Sequence, residues 1–349
     1  MISHARFDDQ IRLSRQLFPT EEAAYLALTE VYRDKYPILL REDANAWHYR
    51  IGWPTAASFY VDPALPDGLQ AFAVSEVGEI GSHYRLERWA SGKVLFCLSL
   101  SHAWALRAWS AWLRTYPRAR PTIIHLDDHA DLMAPSLHAT AWSGRFRDPT
   151  GSVTMRLSDP TAVASMIRRG LVGIGSFITP FLHGGFPCDL VHVCAAPYAA
   201  GLTTVGWVRL GTERLATVGR SWLEGFSPTA TVGPPGEAGG TGVFQRFGDV
   251  MDLQRLAPEG PVLLDIDLDF FANRYNRDSD WQPLPSRDPP LAAVLTEVDR
   301  LAECLTVAPF LRQVEVITLA ISPGFFPAEY WRQTVARLRS HLRRLLGGR

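Results

Sequence analysis

The sequence predicts an α/β fold of three α-β-α layers, built on a mostly parallel sheet and preceded by an N-terminal extension. From about residue 93 onward, short apolar runs of strand length alternate with segments of helical periodicity. Such alternation is typical of βαβ units, whose helices cover both faces of a parallel sheet. The chain has 349 residues, 47% of them hydrophobic, which is enough for one large domain with a sizeable core.

Helices are predicted where apolar residues recur at intervals of three or four, and strands where short apolar runs occur. Helical spacing is found at 21–36, 102–116, 159–169 and 328–346. Strand-sized apolar runs are found at 94–98, 122–126, 190–194, 262–265 and 314–321. Segments 226–242 and 272–290 are rich in Gly, Pro or polar residues and are predicted to be loops. The second follows an acidic motif directly, and we predict a lid there.

The N-terminal part differs from the rest of the chain and carries no recognisable motif. We predict that residues 1–90 form an N-terminal extension and that residues 91–349 form the main domain. Two roles of the extension remain open at this level, namely packing on the main domain and docking of a substrate or leader peptide.

Composition excludes several classes of protein. A net charge of -1 gives no indication of a nucleic-acid or membrane partner. No apolar run approaches the roughly 20 residues of a membrane span, and the N-terminus lacks the apolar region of a secretory signal. The four cysteines form no CxxC pair, which argues against a zinc ribbon and a disulfide framework. A cytoplasmic protein is therefore expected.

Two acidic motifs carry the functional prediction, and each follows an apolar run. The first is DDHAD at 127–131, and the second is DIDLD at 265–269. Sites in parallel sheets form beyond the carboxyl ends of the strands, where both motifs are expected to lie. Carboxylates gathered there repel one another unless a cation lies between them. The sequence therefore predicts a metal site, with two ions more plausible than one.

The alternation within the first motif is suited to metal binding. In an extended segment Asp127, His129 and Asp131 project to one side, while Asp128 points away. Two carboxylates and an imidazole suit a hard or borderline divalent ion such as manganese. A single motif of this kind also occurs in turns and helix caps. Two such motifs, each ending an apolar run, favour the metal site.

With His102, the two motifs resemble the arginase/agmatinase (ureohydrolase) superfamily in order and spacing. SLSHAWALRAW, HLDDHADLM and LLDIDLDFF resemble more closely an atypical arginase-like family. That family includes the peptide arginases of ribosomal-peptide biosynthesis, which convert arginine side chains of a precursor peptide to ornithine. The resemblance covers about residues 93–325 and implies an arginase/deacetylase-like fold, hence an arginase-like metallohydrolase domain at 91–349.

The resemblance also implies a ligand set for two Mn²⁺ ions per chain. The implied metal ligands are His102, Asp127, His129, Asp131, Asp265 and Asp267. Asp127 and Asp265 would be the bridging ligands, and Asp131 would also be catalytic, orienting hydroxide and passing its proton to the leaving amine. Asp269 is a possible additional ligand, because a register that uses Asp267 and Asp269 remains open.

The sequence departs from ordinary arginases in two respects. Those enzymes pair the guanidinium with a Glu near the last strand, whereas residues 319–324 contain no acid. Recognition is therefore expected from Asp269, Asp128 or the N-terminal extension. No motif fixes the proton-shuttle histidine; His138 is the nearest to Asp131 and is predicted to be catalytic, with His183 as the alternative.

The leading functional prediction is hydrolysis of guanidinium groups in an Arg-containing precursor peptide, with ornithine side chains and urea as products. Hydrolysis of a small free guanidine, such as arginine or agmatine, is a close alternative. A deacetylase would use one zinc ion, and a catalytically inactive binding protein would keep only the fold.

Overall fold

The computed structural model describes residues 10–32, 35–52, 62, 64–72, 80–117, 119–141, 144–149, 154–194, 204–215, 225–234, 241–274 and 288–347. Its α-helices are α1 (Glu21–Val31), α2 (Leu65–Ala71), α3 (Trp104–Thr115), α4 (Pro160–Arg168), α5 (Ile178–Leu182), α6 (Leu291–Val307) and α7 (Trp331–Gly347). Its strands are β1 (Gln10–Ser14), β2 (Tyr36–Glu42), β3 (Ala46–Gly52), β4 (Tyr84–Trp89), β5 (Val94–Ser99), β6 (Thr122–Leu126), β7 (His138–Ala141), β8 (Arg145–Arg147), β9 (Thr154–Arg156), β10 (Asp189–Val193), β11 (Thr204–Arg214), β12 (Phe226–Gly233), β13 (Gly242–Phe247), β14 (Val262–Asp267) and β15 (Val314–Ala320).

A nine-stranded mixed sheet is the centre of the fold, in the order β12-β11-β13-β10-β6-β14-β15-β5-β4. The strands from β13 to β5 in that order run parallel to one another. The edge strands β12 and β4, and β11 next to β12, are antiparallel to their neighbours. The α/β prediction is thus confirmed. Two three-stranded sheets, β1-β3-β2 and β7-β8-β9, accompany the large one.

Helices cover both faces of the large sheet, since neighbouring residues of a strand point to opposite sides. On one face, side chains such as Ile123 and Leu263 pack in a core with α1, α3, α4 and α5. On the other, Ile124 and Leu264 pack with α2, α6 and α7. The sheet is therefore the middle layer of three.

The N-terminal residues share the core of the rest of the chain. Leu28 of α1 lies in the same buried cluster as Trp109 of α3. β4, although it lies within residues 1–90, pairs antiparallel with β5 along its whole length. The division at residue 90 stays a prediction.

The five predicted strands are present, each within two residues of its predicted bounds. The helix predicted at 21–36 ends at Val31, and Tyr36 begins β2. The loop predicted at 226–242 is wrong over Phe226–Gly233, which is strand β12. There, Thr and Val residues suit a strand, and they pair with β11. Most of the predicted lid at 272–290 lies outside the described residues.

In the described part of the chain, no helix is both long and apolar enough to cross a bilayer.

Candidate metal centre

Four adjacent parallel strands bring the acidic residues to one edge of the sheet. β6, β14, β15 and β5 are neighbours in that order. Asp127 comes directly after β6, Asp267 ends β14, and Ser322 follows β15 by two residues. His102 follows β5 and precedes α3. Because parallel strands end at the same edge, side chains distant in sequence converge there.

His102 contacts four aspartates of the cluster and is 1% exposed. Its Nδ1 lies 3.1 Å from Asp127 Oδ2, 3.3 Å from Asp131 Oδ2 and 2.8 Å from Asp267 Oδ2. Despite these distances, Nδ1 makes no well-directed hydrogen bond. Three carboxylate oxygens therefore converge on one imidazole nitrogen, which is the arrangement of ligands around a shared ion.

Asp265 lies on the other side of the same imidazole ring. Its Oδ2 is 2.9 Å from His102 Nε2 and 2.8 Å from His125 Nδ1. Its Oδ1 accepts a hydrogen bond from the Thr318 hydroxyl. Both carboxylate oxygens of Asp265 thus have partners in the protein. A carboxylate that holds the far nitrogen of a ligating histidine fixes its tautomer and ring orientation.

A second group of donors shares Asp127 with the first. His129 Nδ1 lies 3.3 Å from Asp127 Oδ1 and 3.2 Å from Asp269 Oδ2. The Asp269 side chain is 2% exposed, and its Oδ1 has no hydrogen-bond partner. The His129 side chain is 41% exposed, unlike the other members of the cluster. The second group is therefore the one that solvent reaches.

These separations fit coordination to divalent ions. At a metal–ligand distance of about 2.1 Å, ligands at right angles stand about 3 Å apart. The N···O distances around His102 Nδ1 and His129 Nδ1 run from 2.8 to 3.3 Å. Carboxylate oxygens with imidazole nitrogens are a suitable donor set for Mn²⁺. Buried groups of His and Asp thus have the spacing to hold metal ions.

The acidic cluster shifts the pKa values of its members in opposite directions. Burial, followed by the charge of Asp127, raises the pKa of Asp131 to about 8. Burial and the charges of Asp127 and Asp267 hold the pKa of Asp269 well above its usual value. For Asp265, burial acts in the opposite sense, yet His102 and His125 lower its pKa to about 2. At Asp131 and Asp269, therefore, protons compete most strongly with a metal ion for the carboxylate oxygens.

The histidines of the cluster respond to the carboxylates around them. Burial alone would lower the pKa of His102, but Asp265 and Asp267 hold it well above its usual value. For His129, burial is likewise outweighed, and Asp127 and Asp269 raise the pKa to about 12. The carboxylates of the cluster thus favour the protonated forms of His102 and His129.

Two residues at the centre have left-handed backbones, although neither is glycine. The φ angles are 49° at Asp131 and 51° at Ser322. Such conformations cost roughly 1–2 kcal/mol for a residue with a Cβ. Ser322 uses its position to donate a hydrogen bond from Oγ to Asp267 Oδ2, at 2.5 Å. At both residues the left-handed backbone conformation directs a side-chain oxygen toward the cluster.

His125 belongs to the centre and was missed from the sequence. It is fully buried, with Nδ1 on Asp265 and Nε2 3.0 Å from the carbonyl oxygen of His129. Both partners are hydrogen-bond acceptors, and although burial alone would lower the pKa of His125, Asp127 and Asp265 raise it. A signal was available, because His125 continues the alternation of Asp127, His129 and Asp131 backwards by one step.

The two predicted shuttle histidines have other contacts. His138, in β7, accepts a hydrogen bond at Nδ1 from the Phe226 N–H. His183 is buried, and its Nε2 lies 2.9 Å from the Thr229 carbonyl oxygen. Both contacts are to β12, whereas the groups with the spacing to hold a metal ion lie around His102 and His129. The catalytic role of His138 stays a prediction.

Compared with known proteins, the chain matches no protein-family model and no curated protein.

Proposed function

We propose that the chain is a dinuclear manganese hydrolase that cleaves the guanidinium of arginine residues in a peptide, giving ornithine side chains and urea. The observation that carries this proposal is the position of Asp127. Its Oδ2 is 3.1 Å from His102 Nδ1, and its Oδ1 is 3.3 Å from His129 Nδ1. One buried carboxylate that faces two donor groups is suited to bridge a pair of ions.

The ligand assignment we propose uses the register of Asp267 and Asp269. Asp267 is the carboxylate that faces His102 Nδ1, and Asp269 is the one that faces His129. Asp265 would then support His102 from behind rather than bind an ion. The first ion would be held by His102, Asp127, Asp131 and Asp267, and the second by Asp127, His129 and Asp269.

Two divalent ions at these ligands would supply hydroxide near neutral pH. They would also stabilise the negative charge that develops when hydroxide attacks the guanidinium carbon. The protein would supply the proton transfer. Asp131 lies at the proposed first ion, with Oδ2 3.3 Å from His102 Nδ1, and would orient the hydroxide and accept its proton for transfer to the leaving amine.

A guanidinium substrate is supported by the resemblance of His102 and the two motifs to ureohydrolases. A small free guanidine remains the closest alternative. A one-zinc deacetylase is disfavoured, because it has no use for the additional carboxylates Asp131 and Asp269.

The four cysteines are all free and buried, which supports our proposal that the protein acts in the reducing cytoplasm.

The test is incubation of manganese-loaded protein with an Arg-containing peptide, read by peptide mass and by released urea. Conversion lowers the mass by about 42 Da per arginine, the difference between a guanidine and an amine. A peptide with Lys in place of Arg and the Asp127→Asn protein are the controls. Urea from free arginine or agmatine but not from peptides would favour the small-substrate alternative. One bound ion per chain would favour the deacetylase.

A further inference from the structure

The buried centre is open to solvent on the side of His129. The side chains of His102, Asp127, Asp265, Asp267 and Asp269 are at most 4% exposed, whereas that of His129 is 41% exposed. Of these side chains, His129 is therefore the one that a substrate in solvent can contact most readily. Residues that border this imidazole are in a position to select the substrate.

Three contacts link the residues next to His129 to one another. The ring of Phe325 packs edge-to-face against it, with centroids 5.6 Å apart. The chain neighbour of His129, Asp128, is partly exposed and accepts a hydrogen bond from Asn273 Nδ2 at 3.2 Å. Arg274, next to Asn273, donates its backbone N–H to the Phe325 carbonyl oxygen at 2.9 Å. These contacts connect Asp128 and Phe325, both neighbours of His129, and we refer to the two residues as the rim of the site.

We propose that Asp128 and Phe325 recognise the substrate guanidinium at this rim, in place of the Glu that ordinary arginases carry. The proposal rests on the proposed function and identifies the selective part of the same site. A carboxylate supplies charge and acceptors for the guanidinium fork, and an aromatic face attracts the planar cation. Asn273 positions Asp128 by holding one of its oxygens.

Asp269 is unsuited to this role, although the sequence left it open. Its side chain is 2% exposed and lies 3.2 Å from His129 Nδ1, inside the second donor group. A carboxylate there is expected to serve an ion. Asp128 is the remaining acid of the two motifs that faces solvent, since the other carboxylates of the motifs are buried.

The experiment compares binding and turnover of two peptides that differ only at one residue, arginine or neutral citrulline. Metal-loaded wild type, Asp128→Asn, Phe325→Leu and Phe325→Tyr are titrated with each labelled peptide by fluorescence anisotropy. Glu259→Gln is the matched control, since Glu259 is exposed near the opposite end of β14. Bound manganese and thermal unfolding are measured for every variant.

We expect wild type and Glu259→Gln to prefer the arginine peptide, and Asp128→Asn to lose about tenfold in affinity for that peptide alone, the effect of a charge-assisted hydrogen bond. KM should rise by a similar factor with kcat little changed. Phe325→Leu should weaken arginine binding about threefold, and Phe325→Tyr should restore it, because both aromatic rings attract a cation.

The outcomes separate this proposal from the proposed function. If no peptide is converted but Asp128→Asn still abolishes the preference for arginine, recognition stands and the hydrolysis is wrong. If peptides are converted while Asp128→Asn keeps the wild-type preference and KM, recognition by Asp128 is overturned. A wild type without preference, or loss of bound manganese in Asp128→Asn, overturns it as well.

Discussion

Asp265 contacts His102 on the side of the ring opposite Asp127, Asp131 and Asp267. Its Oδ2 is 2.9 Å from His102 Nε2, while His102 Nδ1 faces Asp127, Asp131 and Asp267. The two ring nitrogens therefore have different tasks. One is held by a carboxylate, and the other is left without a directed hydrogen bond at the acidic cluster. The position of each aspartate in the DIDLD motif decides whether it holds His102 Nε2, as Asp265 does, or faces a donor group, as Asp267 and Asp269 do.

The first prediction separates the two registers by metal content. Asp269→Asn should lose one manganese ion per chain, because Asp269 faces His129 Nδ1 in the second donor group. Asp265→Asn should keep two ions and bind them about 10- to 100-fold more weakly, as expected when the partner of a ligating histidine is removed. Metal content is measured by inductively coupled plasma mass spectrometry, and the affinity for manganese by competition with a fluorescent chelator. The reverse result would restore Asp265 and Asp267 as the ligands.

The second prediction concerns pH. Manganese should bind more tightly as the pH rises from 6 to 8, because ligands must lose protons before they coordinate. Burial and then Asp127 raise the pKa of Asp131 to about 8, and the pKa values of His102 and His129 are raised as well. Each released proton steepens the dependence by about tenfold per pH unit. Calorimetric titration in two buffers of different ionisation enthalpy counts the protons. Binding without proton release, at constant affinity, would contradict the prediction.

The sequence predicted the edge of the sheet at which the centre lies, because its evidence was local. Strand-sized apolar runs end directly before both acidic motifs, and parallel strands bring their carboxyl ends together. His102 was identified only through the resemblance of the chain to ureohydrolases. All of these residues do converge in the structure.

The remaining features depend on tertiary contacts that no motif encodes. Asp265 lies within β14, whereas Asp269 lies in the 3-10 turn that follows it, and the direction of that turn brings Asp269 to His129. His125 is indistinguishable from an ordinary core histidine until Asp265 is placed beside it. Similarly, the Gly- and Pro-rich sequence of β12 predicted a loop, and pairing with β11 overrode that preference.

The third prediction separates strain from hydrogen bonding at Ser322. Ser322→Ala and Ser322→Gly both remove the hydrogen bond to Asp267, so both should bind manganese more weakly. Only glycine also relieves the left-handed backbone, where φ is 51°. Ser322→Gly should therefore be more stable than Ser322→Ala by up to about 1 kcal/mol, the left-handed cost less the greater unfolded-state entropy of glycine. Urea unfolding with chelator present measures the difference; equal stabilities would argue against strain at this residue.

The fourth prediction tests whether the N-terminal residues fold with the rest of the chain. Leu28 is fully buried in the cluster that includes Trp109, and Ser136 donates a hydrogen bond to the Val31 carbonyl oxygen at 2.5 Å. Leu28→Ala should therefore lower the free energy of unfolding of the whole protein by about 2–5 kcal/mol. Leu26→Ala is the control on the same helix, since Leu26 is 55% exposed and should change it by less than about 0.5 kcal/mol.

Urea unfolding followed by both tryptophan fluorescence and circular dichroism distinguishes one unit from two. Coincident curves that shift together in Leu28→Ala are expected, because α1 and α3 share one core. An early transition confined to the variant, with the main transition unmoved, would mean that the extension unfolds by itself. Ser136 lies five residues after Asp131, so a shared unfolding unit would also connect the N-terminal residues to the metal-binding segment.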